Sequence, residues 1–599
     1  MAWYDEAVFY HIYPLGMLNA PRINEYKEVT HRLPELKKWL PHIKGIGCNA
    51  IYIGPLFESV GHGYETTDYK KLDSRLGDND DLKDFVKTCH DMGIRVIFDG
   101  VFNHTGRDFF AFADIRQNRE ASRYRDWYCN VNFGGNNEYN DGFSYENWGG
   151  YNLLAKLNQK NPEVRDYIAD VIRFWVREFD IDGIRLDAAD VLDFDFMKML
   201  RWVASEVKPE FWLMGEVIHG DYTRWVNGET LHSVTNYTLH KALYSGHNDH
   251  NYFEIAHTVK RLYEMGGNRV DGLKLYNFSD NHDVERIASK LSNRAHYLPV
   301  HILVYTLPGV PSIYYGSEFA IEGIKHRGGS DDAIRPALNY EDYKNAITDN
   351  QYTRAIAALG KIRQDNPVLS CGEYREVMLT NRQYVVARQT GDTVAIIAVN
   401  NDENAATVRG NGLQNGEYTG LLNGGKITVN GGYFETTVPA CGGEIWINKP
   451  GRGCKPSCGI DEAAVRRPVE IMAEESKEDA KTVKVVENKT ADTAKETKSQ
   501  EAASIEIKQE PKPTRKARKT KGAAVNSAAE KYGLEEKYAV IDFETIKNRS
   551  DYDNMSTEEL QVAILEKMAA NGPVNEQMIK TVMDNVYSDS LNNWVKSFR

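Results

Sequence analysis

Eight short runs rich in β-branched and aromatic residues recur between Val8 and Gly316, each separated from the next by a longer stretch with helical spacing. They are VFYHIY (Val8 to Tyr13), AIYIG (Ala50 to Gly54), RVIFDGV (Arg95 to Val101), GIRLD (Gly183 to Asp187), FWLMGE (Phe211 to Glu216), SVTNY (Ser233 to Tyr237), LKLYNFS (Leu273 to Ser279) and VPSIYYG (Val310 to Gly316). Strands that alternate with helices pair in parallel. Eight such units predict a closed (β/α)8 barrel, in which reactive groups collect at the C-terminal ends of the strands. A chain of 599 residues with 41% hydrophobic content has the apolar material for that barrel and for further domains.

Four of these strands deliver polar groups at that end. RVIFDGVFNH brings Asp99, Asn103 and His104, GIRLDAAD brings Arg185 and Asp187, WLMGE brings Glu216, and LYNFSDNHD brings His282 and Asp283. A cation beside a carboxylate keeps it ionised and aimed, so Arg185 and Asp187 read as a pair. Three carboxylates at three strand ends predict a catalytic cluster. Cleaving or transferring a glycosidic bond needs one carboxylic acid to protonate the departing oxygen and one carboxylate on the other face of the sugar. A metal-dependent hydrolase would use histidine ligands, and His104 and His282 follow neither an HxH nor an HExxH spacing. The alternative for Asp187 is a structural ion pair with Arg185 alone.

The organisation expected is a barrel over residues 1–370, with an inserted segment at 104–157 between the third strand and a helix opening near Asn161-Pro162. An insertion of that length exceeds an ordinary βα loop and marks a functional one. Its second half is dense in Trp, Tyr, Asn and Gly, which suits sugar binding by ring stacking and amide hydrogen bonds, the alternative being a mobile lid whose aromatics pack on the barrel. Residues 371–449 turn to period-two strands, with Gly391-Asp392 breaking two alternating runs, and predict an antiparallel β-sandwich domain. Residues 450–530 are rich in Lys, Glu, Ala, Thr and Pro and predict a disordered linker containing the basic run Lys512 to Gly522. Residues 531–599 predict a small helical module, opened by a capping box of Ser556 with Glu559 and broken at Asn571-Gly572-Pro573. That module either docks a protein partner, self-associates, or folds on itself.

A net charge of -13 argues against a general nucleic-acid binder. No apolar stretch is long enough to span a membrane, and MAWYDEAVFYHIYP has neither a basic n-region nor an apolar h-region, so a cytoplasmic protein is expected. Seven scattered cysteines fit reduced thiols, and Cys454 with Cys458 form an incomplete metal-ligand set.

The motifs DGVFNH, GIRLDAAD, GEVI and FSDNHD resemble, in order, the four conserved regions of the α-amylase family, glycoside hydrolase family 13. EAVFYHIYP and HGYETTDY, His62 to Tyr69, are also similar to that family, so the resemblance covers roughly residues 3 to 449. LLAKLN, Leu153 to Asn158, and EVIHGDYTRWVNG resemble the neopullulanase, cyclomaltodextrinase and maltodextrin-hydrolysing group. The resemblance implies a retaining α-glucan hydrolase cutting α-1,4 bonds, with Asp187 as nucleophile, Glu216 as general acid/base and Asp283 as the third carboxylate. It further implies that Arg185 holds Asp187 ionised, that His104 and His282 hydrogen-bond the sugar before the cleaved bond, that Tyr64 stacks on it, and that Asp99 supports the site. The asparagine matching Asn103 often binds calcium in the family. The remaining ligands are not recognisable here, and NAPRINEYKEV replaces an acidic calcium loop, so no cofactor is expected. The alternatives are a 4-α-glucanotransferase on the same site and, from another class, a noncatalytic glucan-binding or scaffold protein.

Overall fold

A computed structural model describes residues 2–325 and 331–451, the segment 555–571, and isolated positions between 532 and 595. The chain divides into two units, Met1–Thr497 and Lys498–Arg599. Apart from Pro450 and Gly451, the expected linker, its basic run, Cys454 and Cys458 lie outside the described residues, as does the break at Gly572-Pro573.

All eight expected runs form parallel strands of one sheet: β1 (Phe9–Ile12), β2 (Ala50–Ile53), β3 (Arg95–Gly100), β4 (Gly183–Leu186), β5 (Trp212–Gly215), β6 (Ser233–Val234), β7 (Tyr276–Phe278) and β8 (Val310–Tyr314). The pairing runs β6-β5-β4-β3-β2-β1-β8-β7, and a parallel bridge between Thr235 and Tyr276 joins its two edges, so the barrel closes. β6 is shorter than SVTNY suggested. Asn236 accepts a hydrogen bond from Leu239 N at 3.1 Å and starts the helix Tyr237–Asn248, which ends the strand after Val234.

Strand alternation sorts the side chains. Phe9, Tyr52, Ile97, Trp212, Met214 and Phe278 belong to one cluster that fills the barrel, with Phe9 stacked on Trp212 at 5.1 Å. The intervening residues, such as Ile51, Val96, Phe98, Ile184 and Leu213, pack outward on the helices. Two-residue periodicity then carries the inner face upward from Ile97 to Asp99, from Gly183 to Arg185 and Asp187, and from Met214 to Glu216. Among the outer helices, Pro162–Phe179 opens as expected: Asn161 accepts from Glu163 N at 2.8 Å, and Pro162 takes the first position. It buries Val164, Ile168, Ile172, Trp175 and Phe179, with Trp175 stacked on Phe57 at 4.5 Å.

The insertion forms a three-stranded sheet of His104–Thr105, Tyr151–Lys156 and Asn147–Trp148, with the helix Phe110–Asn118 beside it in sequence. Beyond the barrel, a six-stranded antiparallel sheet and a two-stranded pair, Ala406–Gly410 with Phe434–Val438, share a core that includes Val385, Ile396, Val408, Phe434 and Trp446. The Gly391-Asp392 turn joins Gln383–Thr390 to Thr393–Asn400 as a two-residue hairpin, Thr390 facing Thr393, with Gly391 at φ 57°. In the C-terminal unit the capping box is present: Ser556 N donates to Glu559 Oε2 at 2.8 Å and Glu559 N to Ser556 Oγ at 3.2 Å. Among the described residues, no helix is long and apolar enough to cross a membrane.

Candidate active site

Asp99 on β3 and Arg185 on β4 are register partners, which places their inward side chains side by side. Arg185 Nη1 donates to Asp99 Oδ1 at 2.8 Å and to Asp187 Oδ1 at 2.9 Å, while Nη2 lies 2.8 Å from Glu216 Oε2. One buried guanidinium therefore holds three carboxylates from three adjacent strands. Tyr52 and Tyr64 also donate to Asp99 Oδ2, at 2.8 and 3.2 Å, so both Asp99 oxygens are engaged by the protein. The close approach needs Gly54: a Cβ there would sit 2.3 Å from the Asp99 Cβ.

Asp187, Glu216 and Asp283 line a common cleft of about 640 Å³, together with Tyr64 and His104. Arg185 and Asp99 lie beneath it, each 2% exposed. Glu216 has its two oxygens in different settings. Oε2 faces Arg185 and accepts from Ala188 N at 3.2 Å, whereas Oε1 accepts from the Tyr237 hydroxyl at 3.2 Å. Asp283 is gripped by Arg335 Nη2 at 3.1 Å and by His282 Nε2 at 3.0 Å. The Arg335 chain is fixed in turn, its Nε donating to His282 O at 2.9 Å and its guanidinium lying 4.6 Å from the Tyr13 ring centre.

The carboxylates differ in electrostatics. Burial pushes the Asp187 carboxyl well above its ordinary range; Arg185 opposes this, and the charges of Glu216, Asp99 and Asp283 add to it. For Asp283 burial also favours the neutral form, but the contacts from His282 and the charges of Arg335 and Arg185 outweigh it and hold the carboxyl well below its ordinary range. Asp187 thus carries a neutral-favouring pressure from enclosure beside acids that share its single cation. Neighbouring acids of this kind titrate as a unit.

His104 is 1% exposed, and burial drives its pKa to about 3 despite the Tyr64 backbone, with the His62 charge adding to the fall, so the ring is neutral. His282 is stacked between Tyr64 and Tyr13, with ring centres 5.7 and 5.9 Å away and both pairs at 13°, and Tyr64 Oη contacts His282 Nε2. His282 Nδ1 is buried with no hydrogen-bond partner among the described residues. Every site residue expected from the sequence therefore lies in or directly beneath this cleft.

Tyr237, Asn281 and Arg335 also belong to the site, and sequence reading missed them. In the sequence Tyr237 reads as the end of a strand, Asn281 is one polar residue among several inside FSDNHD, and Arg335 comes from a loop after β8 with no local pattern. Of the lid aromatics, Trp127, Tyr128, Phe143 and Tyr145 are buried, while Trp148 and Tyr151 are 40% and 65% exposed on the cleft. Tyr128, Phe143 and Tyr145 pack on Phe112 of the insertion's own helix and Trp127 on Tyr167 of the barrel helix, while Trp148 and Tyr151 face the cleft. Asn103 uses both ends of its amide inside the fold, Oδ1 accepting from Gln159 Nε2 at 3.4 Å and Nδ2 lying 3.2 Å from His104 Nδ1. That is a poor fit to a calcium ligand.

A family model described as "Alpha amylase, catalytic domain" matches residues 33–367. A cyclomaltodextrinase of Thermoanaerobacter pseudethanolicus is 31% identical over 423 residues, 67% of this chain and 71% of that protein. One from a Bacillus species is 29% identical over 432 residues, 68% of this chain and 75% of its own. A solved structure titled "Cyclomaltodextrinase" superposes with a TM-score of 0.66 at 25% identity, covering 74% of this chain and 78% of the other.

Proposed function

The chain belongs to the alpha-amylase family and is a glycoside hydrolase, and from that premise we propose that it cuts α-1,4-glucosidic bonds of maltodextrins and starch-derived oligosaccharides by double displacement. The observation that carries this reading is the seating of Asp187 and Glu216 on one guanidinium at the floor of a cleft that Asp283 also lines. The two carboxyl groups that double displacement needs are thereby brought to one cation in one cleft.

In this mechanism Asp187 attacks the anomeric carbon while Glu216 protonates the departing glycosidic oxygen, leaving a covalent glycosyl-enzyme. Glu216 then takes a proton from the water that releases the sugar. The proton held by the buried acids must lie on Glu216 when substrate is present, and the Arg185 contact at 2.9 Å favours the ionised nucleophile. Asp283, kept ionised by Arg335 and His282, grips hydroxyls of the distorted sugar. Neutral His104 supplies a further hydrogen bond, as does His282, and Tyr64 offers its ring face. Asp99 supports the site by fixing Arg185. No cofactor enters any step. The five described cysteines stand as free thiols, which supports a reducing, cytoplasmic setting.

Incubation with maltoheptaose tests the reading. Shorter products that vanish in Asp187→Asn support hydrolysis at this site, products longer than the substrate favour the glucanotransferase alternative, and an unaltered substrate rejects α-1,4-glucan cleavage.

A further inference from the structure

The residue after the Asn236 cap, Tyr237, projects into the cleft from the start of its helix and is held edge-on against Phe278, with ring centres 5.0 Å apart at 81°. Its hydroxyl lies between two groups. Asn281 Nδ2 donates to it at 3.0 Å, and it sits 3.2 Å from Glu216 Oε1. The direction of this chain is determined at its far end. Asn281 Oδ1 accepts from the backbone N–H of Asp283 at 2.8 Å and of Val284 at 3.2 Å, so the amide cannot turn round without leaving both uncapped. The Asn281 NH2 must therefore face Tyr237. A phenol that receives a hydrogen bond on its oxygen points its own proton elsewhere, and the acceptor within reach is Glu216 Oε1.

We infer that Tyr237, oriented by Asn281, is a positioning residue for the acid/base step: it donates to the Glu216 oxygen that gives up the proton, and so stabilises the carboxylate formed as the leaving group departs. This rests on the assignment of Glu216 as acid/base. Burial, reinforced by the charges of Glu216 and Asp283, keeps the Tyr237 phenol protonated well beyond its ordinary range, so it remains a donor at any working pH. The other charged groups around Glu216 are accounted for. Arg185 faces Oε2 from β4, Asp187 shares that arginine, and Asp190 acts on Glu216 by its charge from the short helix after β4. None of these supplies a hydrogen bond to Oε1, where Tyr237 is the donor present among the described residues.

A hydrogen bond to a charged acceptor is the stronger kind, so Tyr237→Phe should lower kcat about tenfold on maltoheptaose with little change in KM. It should also move the alkaline limb of the kcat/KM profile up by about one pH unit, since losing a donor to the carboxylate makes Glu216 a weaker acid. The decisive comparison uses an aryl α-maltoside whose dinitrophenolate departs without protonation. On that substrate the kcat/KM deficit of Tyr237→Phe should disappear, which a general loosening of the site would not produce. Asn281→Asp keeps the acceptor for both backbone groups but turns the donor into an acceptor. It should shift the limb in the wild-type background by more than in the Tyr237→Phe background. Equal deficits on both substrates, or an unmoved alkaline limb, would overturn the inference. Glu216→Gln separates this from failure of the underlying assignment: if that variant keeps its activity on maltoheptaose, the acid/base role itself is wrong.

Discussion

Arg185 Nη1 lies 2.9 Å from Asp187 Oδ1, two residues further along the same strand line, so the pairing follows from strand alternation alone. The same guanidinium is also the buried counter-ion of Asp99 and Glu216. Replacing it leaves three enclosed acids without their cation. Arg185→Lys keeps the charge but not the planar fork that reaches three strands, and should reduce kcat/KM at least ~100-fold. Arg185→Met should in addition lower stability by ~3–5 kcal/mol, as breaking a buried ion pair from one side does, measurable by urea unfolding.

Tyr64 combines a ring role with a hydroxyl role. Its ring is parallel to His282 and its hydroxyl reaches Asp99 and His282. Tyr64→Phe keeps the ring, and Asp99 retains Arg185 and Tyr52, so a stability loss of ~1 kcal/mol is expected. Tyr64→Ala should cost ~3–5 kcal/mol and, by removing the stacking face, raise KM for maltodextrins as well. Similar losses in the two variants would show that the ring is not what matters.

The lid presents Trp148 and Tyr151 to the cleft from either side of Gly149-Gly150, whose φ of 64° and 84° are the turn that only glycine adopts freely. Trp148→Ala or Tyr151→Ala should raise KM on maltoheptaose about fivefold, near ~1 kcal/mol of stacking each, while kcat stays within twofold. A fall in kcat with unchanged KM would place these rings at the reaction centre instead.

Acid should destabilise this protein well above the range where carboxylates titrate. Burial lowers His104, His232 and His247 to about 3, and His240, His296 and His301 to about 4, against 6.5 in the unfolded chain. Between those values the unfolded chain binds protons that the folded one refuses, so stability rises with pH through that window, by ~1.4 kcal/mol per unit for each histidine. Glu444, raised to about 7 by burial, acts the other way, holding its proton when folded and losing that contribution as pH rises through 4.5 to 7. Asp187, Asp190 and Asp280, which burial also raises, act in the same direction as Glu444, while His11, lowered by burial, joins the six histidines, and the histidines outweigh these carboxyls. The unfolding free energy should be several kcal/mol greater at pH 7 than at pH 4.5, and His301→Gln should flatten the slope. Equal stability at the two pH values would contradict this.

The legibility of the site in the sequence followed its distance from regular structure. Asp187, Glu216 and Asp283 were readable because each ends an apolar strand run, and the barrel geometry then gathers strand ends at one mouth. Trp148 and Tyr151 were flagged only as part of an aromatic-rich stretch, since nothing local separates them from buried Phe143 and Tyr145. Tyr237 escaped because SVTNY reads as a strand, whereas the Asn236 side chain starts a helix one residue earlier than the run ends. Arg335 could not be found at all. Its partner Asp283 is 52 residues away, and only the closed barrel brings the loop after β8 over the end of β7. The pressure that enclosure puts on Asp187 was not legible either, because burial is not visible in a count of charges.

The central claim is double displacement through Asp187, and the anomeric form of the first product tests it most directly. Proton NMR during the opening minutes of maltoheptaose cleavage, before mutarotation, should show the new reducing end appearing as the α-anomer. First appearance of the β-anomer would mean that water attacks the sugar directly, and would contradict the account.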